Sequence, residues 1–206
     1  AENAITRCQE AHCSLAICAR DASEALIVAH SLESGPSAVS VVPGDDSDDR
    51  VMVDIIRPPR IKLVRARILE CKSAGIGDRV DIDLIERMQN GEGMLVGHVA
   101  RGLFLLHSET RLPKELGIAP IDPREFRVNA GSVDGYVLVP GGRTRYLGEL
   151  KSGDVVTVVN SKGQSRASTV GRVKIEKRPM VKLRAVAEGH DLHVFLQNER
   201  YCLLIS

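Results

Sequence analysis

The chain has 206 residues, 43% apolar and 27% charged, with no Trp, three Tyr and three Phe. Its 28 basic and 27 acidic side chains leave a net charge of +1, which argues against a general polyanion binder, and so few rings leave little platform for stacked bases. A chain this long buries roughly 70% of its unfolded surface without disulfides, and no apolar run approaches the about 18 residues of a membrane-spanning helix.

In chain order, the apolar run at residues 14–19 (SLAICA) predicts a buried strand. Asp21 with Glu24 three positions on has capping-box spacing, and Ala25, Leu26, Val28, Ala29 and Leu32 form an apolar helical face that Gly35 and Pro36 stop. Residues 38–42 read as a second strand, so residues 1–42 are expected to hold a strand–helix–strand remnant of an α/β domain. Residues 43–50 (PGDDSDDR) read as an acidic linker, since they lack the mid-loop glycine and closing Glu of a calcium loop. From residue 51 to 206 the helix signal fades. Short apolar runs at 61–70, 94–96, 103–107, 133–139, 155–159, 170–176, 192–196 and 201–205 predict strands. Turn signals separate them, among them Gly75 and Gly77, Asn90–Gly91, Pro140–Gly141–Gly142, Lys162–Gly163 and Glu188–Gly189. The expected class is α+β, mainly β: the remnant, then a many-stranded antiparallel barrel or sandwich.

Cys8, Cys13, Cys18, Cys71 and Cys202 match no close-paired zinc spacing and read as reduced thiols in an intracellular compartment, so no metal site is expected. The glycines of residues 91–97 (GEGMLVG) nearly match a dinucleotide fingerprint, but they lead into a β-like run, whereas the fingerprint needs a helix to hold the pyrophosphate. Residues 143–184 carry eleven Lys or Arg against three acids. Arg172, Lys174, Lys182 and Arg184 on this stretch suggest either a solvated strand face or a face that docks an acidic partner.

Several residues could carry chemistry. His107 and Glu109 end an apolar strand, where a proton shuttle could sit and where backbone groups also need partners. Arg127, Arg143 and Arg145 offer forked donors for a carboxylate or phosphate. Asn129 can donate and accept at once, and Gly141 and Gly142 permit either close approach to a ligand or a tight turn.

The stretches GIGDRV, GEGMLVG, GLFLLHSE, FRVNAG, VPGGRTRYLGELKSGD, GRVKIEKRPM and FLQN, in this order, closely resemble the C-terminal half of the archaeal-type 3-dehydroquinate synthase (3-dehydroquinate synthase II) family from about Gly75 to Asn198. The resemblance implies an NAD-dependent oxidative deamination of 2-amino-3,7-dideoxy-heptulosonate, followed by cyclisation to 3-dehydroquinate in aromatic amino acid biosynthesis. In that chemistry His107 and Glu109 would transfer protons. Arg127, Asn129, Arg143 and Arg145, beside Gly141 and Gly142, would hold the substrate carboxylate, and Lys174, Lys177 and Arg178 the cofactor phosphates.

The chain also departs from the family pattern. After GMLVG it has His98, Val99 and Ala100 where small hydroxyl residues are usual. After NAG it has Ser132, Val133, Asp134 and Gly135 before Tyr136, where a His usually precedes the Tyr. Family members are longer, and a site between two domains loses half its walls when one is missing. The expectation favoured is therefore a truncated, non-catalytic homologue without cofactor. It would be a soluble structural or binding subunit of a larger protein assembly, processed at Ala1 and placed on the stromal side of a plastid photosynthetic complex. The alternative is an active, NAD-dependent 3-dehydroquinate synthase II with a small-molecule substrate. Neither reading involves nucleic acid or a membrane span.

Overall fold

A computed structural model describes residues 2–29, 31, 35–41, 51, 53–109, 123–199 and 204–205. The expected linker at 43–50 and most of the segment after Glu109 lie outside these residues. The chain divides into two compact units, Ala1–Pro59 and Arg60–Ser206.

In the first unit, α1 (Glu2–Glu10) precedes β1 (Ala16–Ala19), α2 (Ala22–Ala29) and β2 (Ala38–Val41). The two strands pair in parallel, Ala16 opposite Ala38 and Ala19 opposite Val41, so the expected strand–helix–strand is a βαβ unit. Its helix starts as the spacing predicts: the Glu24 N–H donates to Asp21 Oδ1 at 2.8 Å. The reciprocal bond is displaced by one residue, because Glu24 Oε2 accepts from the N–H of Arg20 at 2.8 Å instead of that of Asp21. Gly35 takes a positive φ of 58°, and a Cβ there would press on the Ala29 carbonyl at 2.7 Å. The core is small: Ala19 and Ala25, with Val39, Val41 and Ile56 against them. Helix α1 was not signalled by the sequence, since Ile5 is its one buried side chain and no apolar stripe marks it. Residues 53–56, in the region where the helix signal fades, are helical as well.

The second unit is an antiparallel sheet of nine strands: β3 (Arg67–Leu84), β4 (Glu92–Val99), β5 (Gly102–His107), β6 (Arg127–Ser132), β7 (Tyr136–Val139), β8 (Arg143–Tyr146), β9 (Val155–Asn160), β10 (Ser165–Ala187) and β11 (His190–Gln197). The order β6-β3-β10-β9-β4-β7-β8 forms its path, with β11 on β10 and β5 on β4, and the sheet does not close into a barrel. The runs at 94–96, 103–107, 155–159 and 192–196 lie within β4, β5, β9 and β11. Two long strands organise the unit. β10 spans 23 residues and β3 spans 18, paired from Val170–Leu84 to Val186–Arg67.

The turn expected at Gly75 and Gly77 is instead strand. Register slips between Met180–Gly75 and Val181–Ser73, and Gly75 absorbs the slip as a bulge with φ 80°. A bulge and a turn both ask for a residue without a Cβ, so the local signal cannot separate them.

The core follows from alternation. Val80, Ile82 and Leu84 of β3 and Val128 and Ala130 of β6 point to one side, joined by Met94, Val96, Phe104, Leu106, Val156, Val158, Val194 and Leu196. With no Trp and only three Phe, aliphatic side chains supply nearly all of this packing. At the far end, Leu204 bridges Leu106 and the Ile205 N–H donates to the Leu105 carbonyl at 2.9 Å. No helix among the described residues is long and apolar enough to cross a membrane.

Candidate functional site

The same alternation that buries Val80 and Ile82 sends Arg79, Asp81 and Asp83 to the opposite face of β3. β6 contributes Arg127 opposite Asp83, Asn129 opposite Asp81 and Ser132 opposite Arg79, the last after a bulge between Val80 and Asp81. β10 adds Arg172 opposite Asp83, Lys174 opposite Asp81 and Glu176 opposite Arg79. Three strands thus build one charged face.

Asp83 is its hub. Arg127 grips it with Nε to Oδ1 at 2.6 Å and Nη2 to Oδ2 at 2.9 Å. Arg172 donates to the same Oδ2 from Nε at 2.9 Å and Nη2 at 2.6 Å. Burial raises the Asp83 carboxyl, but the hydrogen bonds and charges of the two arginines outweigh it and hold the group below the usual carboxylate range. Arg79 pairs with Asp81 and, through Nη2, with Glu176 at 3.0 Å. Burial draws its guanidinium below the ordinary value against the pull of Glu176.

Glu109 joins this face from the end of β5. Its N–H donates to the Arg127 carbonyl at 2.8 Å, and its Oε2 lies 3.4 Å from Arg124 Nη1. Burial pushes its carboxyl upward, and Arg127, Arg124 and Arg79 do not cancel that shift. A carboxyl with its proton affinity raised by burial thus sits among three cations.

His107 lies differently. Its Nε2 accepts the Gly91 N–H at 2.9 Å, which assigns the ring hydrogen to Nδ1, 2.7 Å from the Ser108 carbonyl. Both nitrogens are engaged by backbone groups, and the ring pins the turn before β4 to the end of β5. Asn129 donates to Gln197 Oε1 at 2.8 Å and so ties β6 to β11. Gly141 and Gly142, at φ 84° and 67°, form the tight turn between β7 and β8. Arg143 pairs with Val139 in the ladder after that turn. Arg145 reaches Asp154 at 2.8 Å and the Glu149 carbonyl at 3.3 Å instead of joining Arg127.

The basic strand is largely answered from within the sheet. Lys174 and Arg178 both reach Glu176, at 2.9 and 2.8 Å, and Lys177 reaches Asp78 at 3.2 Å. Arg184 lies between Glu70 at 4.0 Å and Asp191 at 3.7 Å, and Lys182 sits over the Phe195 ring at 5.7 Å from its centroid. Seven of the eleven basic residues counted along residues 143–184 belong to β10, and the acids that answer them stand on β10 itself and on its neighbours.

These residues do not form a cradle for the nicotinamide dinucleotide that the resemblance implies. The glycines of residues 91–97 lie in and beside β4, and the next element is β5. A Cβ on Gly93 would collide with the Leu106 carbonyl, so this glycine serves strand packing. Lys174, Lys177 and Arg178 each rest on a carboxylate.

The charged hub escaped the sequence reading, although DRVDIDL carries its signal: Arg79, Asp81 and Asp83 alternate with Val80, Ile82 and Leu84. A second cluster escaped it too. His98 and Asp134, each at a departure from the family pattern, meet in space with Nε2 3.2 Å from Oδ1.

A family model for the 3-dehydroquinate synthase II C-terminal domain matches residues 65–206. The chain is 42% identical over 202 residues to a protein named 3-dehydroquinate synthase from Methanopyrus kandleri, covering 96% of this chain and 49% of that protein. It is 43% identical over 208 residues to one of the same name from Methanothermobacter thermautotrophicus, covering 100% of this chain and 54% of that protein. The chain spans about half the length of these curated relatives. No solved structure matches it.

Proposed function

Because the chain belongs to the 3-dehydroquinate synthase II family, we propose that it supplies substrate binding and proton transfer to an enzyme that makes 3-dehydroquinate from 2-amino-3,7-dideoxy-heptulosonate. The observation that carries this reading is Glu109, whose N–H donates to the Arg127 carbonyl and whose half-buried carboxyl, its proton affinity raised by burial, has Oε2 3.4 Å from Arg124. Such a group can deliver or accept a proton while neighbouring guanidinium groups hold an anionic substrate. Arg172 suits the entry to this face, because it is 63% exposed while bound to the hub Asp83. The hydride transfer is not assigned to these residues, which offer no fit for the dinucleotide.

The reading of a non-catalytic subunit rests on the chain's span of about half its relatives' length and on the departures from the family pattern at residues 98–100 and 132–135, with the basic strand as the face that would dock an acidic partner. Asp83, Glu176 and Glu70 pair with Arg172, Lys174 and Arg184 of that face, so part of its positive charge is compensated within the sheet. The test is direct. The complete product of the gene, given the amino sugar acid and NAD, should form 3-dehydroquinate, and Glu109→Gln should lower turnover by about 10²-fold or more. Absence of 3-dehydroquinate from the wild type would sink the proposal.

A further inference from the structure

We propose that His98 is a proton-transfer residue of the reaction set out above, working through Nδ1 with Asp134 as its positioning residue. The inference rests on that reading of function.

The tautomer follows from the partners. A carboxylate only accepts, so Nε2, 3.2 Å from Asp134 Oδ1, carries the ring hydrogen. Ser132 Oγ donates to the same Oδ1 at 2.6 Å, which turns its lone pair toward Nε2 at 3.0 Å. Nδ1 is left with a lone pair. It is buried, has no hydrogen-bond partner, and belongs to a side chain only 7% exposed. A base held at one ring nitrogen by a carboxylate and unpartnered at the other is the arrangement general bases use. His107, with both nitrogens on backbone groups, lacks that opening.

The surroundings fit a site. The His193 ring stacks on His98 at 5.6 Å and the Phe195 ring meets it edge-on at 5.1 Å. Gly135 allows the ring to lie close, since a Cβ there would stand 3.2 Å from His98 Cε1. Among the described residues, the charged and titratable groups around the cluster are Asp134, His193 on β11, Lys182 and Arg184 on β10, and Tyr146 on β8. The cluster also adjoins the charged face: Ser132 pairs in register with Arg79, and Asn129 of β6 holds Gln197, two residues beyond Phe195.

Ring closure of a hydroxylated keto acid needs a proton removed beside a carbonyl. Nδ1 would take that proton. The electron pair of the broken C–H bond would form the new C–C bond to the carbon of a second carbonyl in the substrate, the π pair of that carbonyl would move to its oxygen as an alkoxide, and the proton would pass from Nδ1 to that alkoxide. Asp134 would stabilise the imidazolium in between. Catalytic hydrogen bonds of this kind are completed only when substrate binds.

The test uses the complete gene product. His98→Gln should lower kcat by about 10²–10⁴-fold with little change in KM and remove the limb of the pH profile that the base supplies. Asp134→Asn, which keeps the ring, should lower kcat less and shift that limb; it carries the test if His98→Gln does not fold. Independently of activity, ring-nitrogen NMR should find hydrogen on Nε2 and none on Nδ1 at neutral pH. A wild type without turnover removes both the function and this inference. An active wild type whose two variants keep their kcat, or a ring protonated at Nδ1 only, overturns this inference alone.

Discussion

Asp83, the hub of the charged face, and His98, which meets β6 through Ser132, handle polar burial in opposite ways. Asp83 receives four hydrogen bonds from two arginines, which offsets its desolvation and fixes β3, β6 and β10 against one another. His98 keeps one acceptor unmatched, at a cost of about 1–3 kcal/mol for a buried polar group. A saturated hub holds shape, and an unsaturated nitrogen waits for a ligand. Glu109 stands between the two cases, in a charged surround that still leaves its carboxyl prone to take a proton.

The largest effect is expected at the hub. Asp83→Ala leaves Arg127 buried without its carboxylate and should cost about 3–5 kcal/mol in urea unfolding. A loss under about 1 kcal/mol would mean that Asp81, 3.9 Å from Arg127 Nη1, takes over.

His107→Gln should lower stability by about 1–2 kcal/mol, the scale of one or two lost hydrogen bonds, and leave kcat within a few-fold of wild type. A collapse of kcat with unchanged stability would reverse the roles of His107 and His98.

pH separates the two carboxylates. Asp83 has a lowered folded pKa, so its stabilisation is present above the ordinary carboxylate range and is lost as pH falls through and below that range. Glu109 has a raised folded pKa, so its contribution is present at low pH and is lost as pH rises through the raised value. Glu109→Gln should therefore gain stability relative to wild type as pH increases, while Asp83→Asn loses it; thermal unfolding across the acid range reads both. Parallel slopes for the two variants would break the contrast.

The smallest effect is expected on the solvent side of the long strands. Lys177→Ala should change stability by no more than about 0.2–1 kcal/mol, because its bridge to Asp78 is exposed. A larger loss, checked by the same unfolding curves, would extend the hub beyond the buried residues.

Much was legible in the sequence because it is local. The apolar runs at residues 155–159 and 192–196 mark strands, Asp21 with Glu24 starts a helix, and the ordered motifs from Gly75 to Asn198 identify the family. Other features are decided by pairing. Whether Gly75 makes a turn or a bulge depends on β10 lying alongside it, and whether eleven bases form a free patch depends on which strand's acids lie opposite. His107 and His98 are both histidines on apolar strands, yet one meets backbone at both nitrogens and the other a carboxylate at one. Periodicity and turn chemistry act over a few residues and so can be read along the chain. Charge compensation and ring tautomer depend on neighbours tens of residues away, which only register and packing bring within a few ångströms.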